Sequence, residues 1–305
     1  MSLSPIRTTK HAVPTREGAG VNLHRAFGFG DTDLTDPFLL FDDFRGDRES
    51  DYIAGFPWHP HRGIETVTYV LAGTVEHGDS LGNSGRLAEG SIQWMTAGSG
   101  IIHQEMPQGD ERGRMHGFQL WANLPAGLKM TDPRYQDVPA SEVALRSEDD
   151  GTIIRVLCGE FGGIHGPVDG IAAAPRYLDI TVPAGRTKTF PMDLESRAFA
   201  YVFEGSGNFR GASGPQPVPY EAADDVIALK PVEVDNRSLV IFDSGDEVKV
   251  TAGEEGLRFL LVSGRPIREP VAWYGPIVMN TQVQLEEAFR EFQSGTFIKK
   301  GGHFG

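Results

Sequence analysis

The chain is poor in cysteine and in long apolar runs. It has one cysteine, Cys158, so an internal disulfide is excluded and a reducing compartment is favoured. No apolar run is long enough to span a membrane as a helix, and the first residues lack the apolar stretch of a signal peptide. We therefore expect a cytoplasmic protein, with Cys158 buried as a small hydrophobic residue.

Positive charge is also scarce. Lysine and arginine number 28 against 42 aspartates and glutamates, which gives a formal net charge of −14. An acidic surface repels phosphate groups, so direct binding to nucleic acid or to an anionic membrane is not expected. The composition leaves small molecules and other proteins as the partners to consider.

Turn-forming residues are abundant, with 38 glycines and 20 prolines among 305 residues. Short β-branched and aromatic runs end at Gly, Asn or Asp, which is typical of strands in a sandwich or barrel. We predict an all-β protein with a short helix near its end. The predicted strands cover residues 65–71, 91–96, 116–122, 152–157, 176–182, 198–203, 238–242 and 257–262.

The two halves of the chain resemble each other. Residues 69–73 (YVLAG) match residues 201–205 (YVFEG) at an offset of 132 residues, which favours a duplicated β-domain. We assign residues 1–135 to a first barrel, 136–151 to a connector and 152–305 to a second barrel with the terminal helix. Thr281 before the apolar spacing of Gln282–Gln293 is a suitable helix N-cap.

Two pairs of potential metal ligands lie in the first half. In an extended strand, residues i and i+2 face the same side, so His59 and His61 can direct two imidazoles at one point. His103 and Glu105 have the same spacing. Three imidazoles and a carboxylate leave one or two coordination positions open, and they suit iron, manganese, nickel, copper or zinc.

Two further residues are secondary candidates. Glu65 lies four residues after His61, so it could also face inward as a rival carboxylate. His77 either lines the cavity or lies in a solvated hairpin, and we favour the hairpin.

Several sequence blocks resemble the pirin family of the cupin superfamily. They span most of the chain, and together they are specific. The blocks are residues 59–69 (HPHRGIETVTY), 90–98 (GSIQWMTAG), 100–107 (GIIHQEMP), 119–125 (QLWANLP) and 275–281 (GPIVMNT).

The resemblance implies two cupin-type jelly-roll barrels in tandem, with Fe(II) bound in the first barrel only. The iron ligands of the family fall on His59, His61, His103 and Glu105. The residues at the same offset in the second half include Pro191 and Asp193, and the histidines after His116 are His165 and His303. A metal-free second barrel is therefore expected.

The resemblance also implies two functions. The leading hypothesis is a quercetin (flavonol) 2,3-dioxygenase, with dioxygen as the second substrate and with Glu105, or alternatively Glu65, accepting the proton of a substrate hydroxyl. The alternative is a non-enzymatic regulator that binds protein partners according to the redox state of its iron. A barrel that the metal only stabilises, without turnover, is a third possibility.

Overall fold

The computed structural model describes residues 2–210 and 232–299. His303 lies outside the described residues. The strands of the first half are β1 (Ile6–His11), β2 (Val13–Glu17), β3 (Val21–Phe27), β4 (Phe38–Asp43), β5 (Phe56–His61), β6 (Ile64–Ala72), β7 (Thr74–Asp79), β8 (Ser84–Leu87), β9 (Ile92–Thr96), β10 (Ile101–Gln108), β11 (His116–Asn123) and β12 (Arg134–Val138).

The strands of the second half are β13 (Ala144–Ser147), β14 (Ile153–Cys158), β15 (Glu160–Phe161), β16 (Ile164–His165), β17 (Arg176–Val182), β18 (Thr187–Pro191), β19 (Arg197–Arg210), β20 (Val232–Val234), β21 (Ser238–Phe242), β22 (Glu247–Gly264), β23 (Ala272–Tyr274) and β24 (Ile277–Met279). The helices are α1 (Thr32–Thr35), α2 (Glu49–Tyr52) and α3 (Gln282–Gln293), with 3-10 turns at Ala126–Leu128 and Ala140–Glu142. Among the described helices, none is long and apolar enough to cross a membrane.

Two antiparallel barrels with the same topology make up the fold, which confirms the predicted all-β duplication. The first has a large sheet of order β12-β9-β6-β11-β4-β3-β2 and a small sheet of order β5-β10-β7-β8. The second has a sheet of order β1-β21-β19-β22-β17-β14-β13, to which β18 and β20 are joined through β22 and β19. Strand for strand, the second order repeats the first.

The first strand of the chain belongs to the second barrel. Strand β1 pairs with β21 of the second barrel, in the position that β12 holds beside β9 in the first. The predicted connector contains part of β12 and all of β13, which complete opposite sheets. Strand β1 thus belongs to the second barrel although it lies within residues 1–135, and β12 and β13 lie partly or wholly within residues 136–151.

The large sheets pack face to face and bury a shared aromatic core. Tyr69 and Tyr201, the paired positions of the repeat, each reach across this interface. Tyr69 Oη donates to Asp179 Oδ2 at 2.8 Å, and Tyr201 Oη donates to Asp43 Oδ2 at 2.8 Å. The interface therefore has an approximate two-fold symmetry. Cys158 is buried in this core, as predicted, and burial raises the pKa of its thiol to about 12.

Helix α3 begins and ends as the sequence predicted. The Thr281 side chain accepts a hydrogen bond from the Gln284 backbone, and the Gln284 side chain accepts one from the Thr281 backbone, which is a capping box. Leu285 and Ala288 are its buried residues. They pack with Ile277 and Phe297, so the helix is held close to the strands that precede it.

Candidate metal centre

Three imidazoles converge inside the first barrel. Strands β5 and β10 are adjacent and antiparallel, with His59 directly opposite His103. His61 follows two residues later in β5, so its ring lies on the same face as that of His59. One ring nitrogen from each of the three lies within 4.8 Å of the others. The structure therefore brings together the three histidines that the spacing argument proposed as ligands.

The hydrogen bonds of two rings define which nitrogens are free. His59 Nδ1 lies 2.9 Å from the Pro57 carbonyl oxygen, and His61 Nδ1 lies 3.0 Å from the Pro276 carbonyl oxygen. A carbonyl oxygen only accepts, so both Nδ1 atoms carry a proton. The two Nε2 atoms are 3.0 Å apart. Two lone pairs facing at this distance repel each other, and a bound cation would remove the repulsion.

His103 points to the same conclusion. It is buried, and neither of its ring nitrogens has a hydrogen-bond partner within the part of the chain that the structure describes. Burial lowers the pKa of His103 and of His61 well below the usual value, and the neighbouring His59 lowers both further. Neutral imidazole is the form that binds metal. The donor set therefore fits a transition-metal ion.

Glu105 follows His103 by two residues in β10, but its carboxylate is not part of the group of ligand atoms that the three histidines form. In the β5–β10 register His103 faces His59 and Glu105 faces Phe56, so β5 has one extra residue in this stretch, whereas β10 keeps its two-residue alternation from His103 to Glu105. The Glu105 carboxyl is buried and lines the adjoining cavity. Its Oε1 accepts a hydrogen bond from Thr68 Oγ1 at 2.8 Å. Burial raises the pKa of this carboxyl, while His59 opposes the rise.

Thr68 and Gln119 support Glu105, and both were missed by the sequence analysis. Thr68 Oγ1 is 2.7 Å from the Gln119 amide oxygen as well as 2.8 Å from Glu105. A hydroxyl has one proton, so it cannot donate to both. An amide turned with its nitrogen toward Thr68 would satisfy all three groups, because amide orientation is assigned from such networks. The alternation of Thr66 and Thr68 with apolar residues in β6 is a sequence signal for a polar interior.

Glu65, the rival carboxylate, does not face the histidines. Gly63, with φ +76°, separates β5 from β6, so the alternation that begins at His61 does not continue. Glu65 is buried on the opposite face of β6, where Thr96 Oγ1 donates to its carboxylate at 2.7 Å. Burial raises its pKa from 4.5 to about 7. This carboxyl belongs to the interface side of the sheet.

His77 is not in a solvated hairpin, so the favoured interpretation is wrong. Its side chain is buried, stacks on the Tyr135 ring at a centroid distance of 5.9 Å and lies 3.5 Å from Asp137. In the β7–β10 register it is directly opposite Glu105. Its ring therefore lies in the interior near Glu105, while the residues around the cavity do not include it.

A cavity of about 790 Å³ opens onto the histidines. His59, His61 and Glu105 are among the residues that line it. Its walls carry aromatic rings, including Trp121 and Trp273, whose centroids are 6.0 Å apart. A volume of this size accommodates a small organic ligand. A metal held by these residues would therefore be reachable from solvent.

Charged residues occupy another part of the cavity wall. Arg25 donates to both oxygens of Asp42, at 2.8 and 2.7 Å, and to Glu17 at 2.9 Å. Burial raises the pKa of Asp42 to about 6, although Arg25 opposes the rise. The wall thus offers carboxylate oxygens that could accept hydrogen bonds from a hydroxylated ligand.

Family models match both barrels. Residues 20–122 match the family described as Pirin, and residues 177–298 match the Pirin C-terminal cupin domain. A Pirin-like protein of Caulobacter vibrioides is 42% identical, with 97% of this chain and 100% of the relative covered. A Pseudomonas aeruginosa relative, provisionally named a quercetin 2,3-dioxygenase, is 38% identical over 92% of this chain and 94% of its own.

A solved structure has the same architecture. The quercetin 2,3-dioxygenase from Acinetobacter baumannii is 28% identical, with a TM-score of 0.82. The match covers 97% of this chain and 99% of that chain. The likeness therefore extends over both barrels.

Proposed function

Because the chain belongs to the pirin family of bicupin proteins, we propose that its first barrel is a metal-dependent dioxygenase site. His59, His61 and His103 would hold one divalent ion, with Glu105 as the fourth ligand that the family resemblance implies. The family resemblance favours Fe(II), and this ligand set also suits Mn, Ni, Cu or Zn. The substrates are dioxygen and a hydroxylated aromatic compound of the flavonol class, with quercetin as the first to test.

The observation that supports this proposal best is that two of the three converging histidines, His59 and His61, line an aromatic-walled cavity. A structural metal site is usually closed by four protein ligands, whereas a catalytic site keeps a position open. His59 and His61 both line the cavity, so an open position would face it. Trp121 and Trp273 provide flat apolar walls for a planar ring.

The side chains of this site have separate roles in the proposed reaction. A bound divalent metal supplies Lewis acidity, which lowers the pKa of a phenolic hydroxyl. Glu105 accepts the proton of the substrate hydroxyl on its carboxylate, which Thr68 orients by donating a hydrogen bond to Oε1. His59 and His61 each direct the Nδ1 proton at a backbone carbonyl, which leaves Nε2 of both rings as the donor atom. Both oxygen atoms enter the cleaved flavonol, and carbon monoxide leaves.

The test combines metal loading with oxygen uptake. Protein reconstituted anaerobically with Fe(II) is mixed with quercetin in aerated buffer, and the loss of quercetin absorbance, oxygen uptake and carbon monoxide release are measured together. We expect all three with the wild type and none with His61→Ala. His165→Ala is the matched control, since His165 is exposed in the second half of the chain.

Two negative outcomes have different meanings. A protein that binds iron fully but consumes no oxygen with quercetin or other flavonols contradicts the dioxygenase proposal. The family's other implied role, regulation of a protein partner, would then be tested by co-purification with Fe(II)- and Fe(III)-loaded protein. A protein that binds no metal after reconstitution contradicts the site itself.

A further inference from the structure

The last described segment of the chain lies on the first barrel, not on the second. We define residues 272–297 as the C-terminal strap; it contains β23, β24 and α3. Val278 packs in one buried cluster with Ile64, Met95 and Ile101 of the first barrel. The Val278 backbone N–H donates to the Arg62 carbonyl at 3.0 Å. The strap therefore runs alongside the residues that follow His61.

One atom of the strap contacts a proposed metal ligand. The Pro276 carbonyl oxygen is 3.0 Å from His61 Nδ1, and it is the acceptor that keeps the Nδ1 proton in place. His61 Nε2 then carries the lone pair that faces His59 and His103. The approach of the strap is close, since a Cβ atom on Gly63 would lie 1.9 Å from the Val278 carbonyl oxygen.

Arg62 holds the far end of the strap. Its guanidinium is buried and donates to the Ser99 carbonyl at 2.7 Å, to Glu291 at 2.7 Å and to the Phe297 carbonyl at 2.8 Å. The guanidinium carbon also lies 4.2 Å from the centroid of the Phe297 ring. A buried cation with this many partners is costly to separate from them. Arg62, which follows His61 directly, is thus hydrogen-bonded to the last part of the strap.

Lys129 links the strap to Gly63, the second residue after His61. Its buried ammonium group donates to the Gly63 carbonyl at 2.9 Å, to Asn123 at 2.7 Å and to the Val278 carbonyl at 3.1 Å. Burial lowers the pKa of Lys129 to about 7. Arg62 is therefore hydrogen-bonded to the strap directly. Gly63 is linked to it through Lys129, which donates to the carbonyls of both Gly63 and Val278.

We propose that the C-terminal strap is a positioning element of the metal centre: it sets the tautomer and ring direction of His61, and metal binding in turn stabilises the docked strap. This inference rests on the proposed metal site. Partners that orient a metal-bound histidine affect metal affinity although they do not touch the ion. The coupling is reciprocal, because two linked equilibria change each other by the same free energy.

The test compares two glutamates of α3. Glu291→Ala removes the partner of Arg62, whereas Glu287→Ala removes an exposed carboxylate from the same helix. The probe is Co(II), titrated into metal-free full-length protein against a competing chelator. We expect Glu291→Ala to raise the Kd for Co(II) about tenfold and to alter the visible Co(II) absorption band, with Glu287→Ala unchanged in both.

Hydrogen exchange on the wild type tests the reverse direction, and it does not depend on a variant that folds. We expect added Co(II) to slow amide exchange in residues 272–297 as well as in residues 59–63. Equal Kd values for the two glutamate variants, or no added protection in the strap, would overturn the positioning role while leaving the metal site intact. Absence of Co(II) binding by the wild type would instead overturn the proposed function.

Discussion

The interior of the first barrel contains three imidazoles and a carboxylate beside a cavity, whereas phenylalanine rings fill the interior of the second. In the first barrel His59 faces His103 across β5 and β10. In the second, the corresponding pairing of β18 with β22 brings Phe190 opposite Val248. Phe190 and Phe209 both pack against the Phe259 ring.

The same contrast extends to the strands that support the ligands. Thr68 and Gln119 are paired in the first barrel and reach Glu105. In the second barrel Ala200, at the position of Thr68 in the repeat, pairs with Leu261. One topology therefore accommodates either a polar site with a cavity or a solid hydrophobic core, and the inward-facing residues determine which of these forms.

The largest expected effect is the loss of bound metal when a histidine of the first barrel is replaced, compared with no loss when one of the second half is replaced. His61→Ala removes one of three converging imidazoles, so metal content after reconstitution should fall from a full complement to almost none. His165→Ala, in the second half, should retain the wild-type content. Elemental analysis of the two variants beside the wild type measures this. Full metal in His61→Ala would show that the three histidines are not the site.

A second variant probes the solid core. Phe259→Ala should lower the free energy of unfolding by about 3–5 kcal/mol, because the ring is fully buried among other rings and its loss leaves a cavity. The folded variant should still bind metal fully. Denaturant unfolding and metal analysis on the same sample give both values. A variant that is stable but loses its metal would contradict the separation of roles between the barrels.

Two substitutions at the interface between the barrels test whether its two tyrosine–aspartate hydrogen bonds are equivalent. Tyr69→Phe and Tyr201→Phe each remove a hydroxyl that donates to a buried aspartate of the other barrel. Each should cost about 1.5–3 kcal/mol of stability, since the hydrogen bond is to a charged group. Similar costs would support the two-fold arrangement. A large cost for one and none for the other, measured by denaturant unfolding, would contradict it.

The smallest expected effect is that of Glu65. The two barrels differ at this position, because the equivalent residue of the repeat in the second half is Arg197. The folded-state pKa is raised from 4.5 to about 7, so the folded protein retains a proton that the unfolded chain has released in this range. Stability should therefore fall as the pH rises from 4.5 to 7. Glu65→Gln should show a melting temperature that falls a few degrees less than that of the wild type between pH 5 and 7.5. Parallel curves would contradict the raised pKa.

Period-two alternation predicted much of the site. It placed His59 and His61 on one face because the β5 register is regular from His59 to His61. It failed for Glu65, since Gly63 interrupts the strand, and it gave no sign of the extra residue in β5 between Phe56 and His59. Alternation holds only within an unbroken strand, so turns and bulges limit what spacing can predict.

The residues of this sequence by themselves determined the fold class, the duplication and the three histidines, because strand periodicity and side-chain chemistry are local properties of the chain. Only the tertiary structure decided that β1 joins the second barrel and that the strap joins the first. The partner of His61 is a backbone carbonyl at Pro276, which has no side-chain signal. Contacts of this kind depend on where distant segments pack, and residue spacing does not specify that.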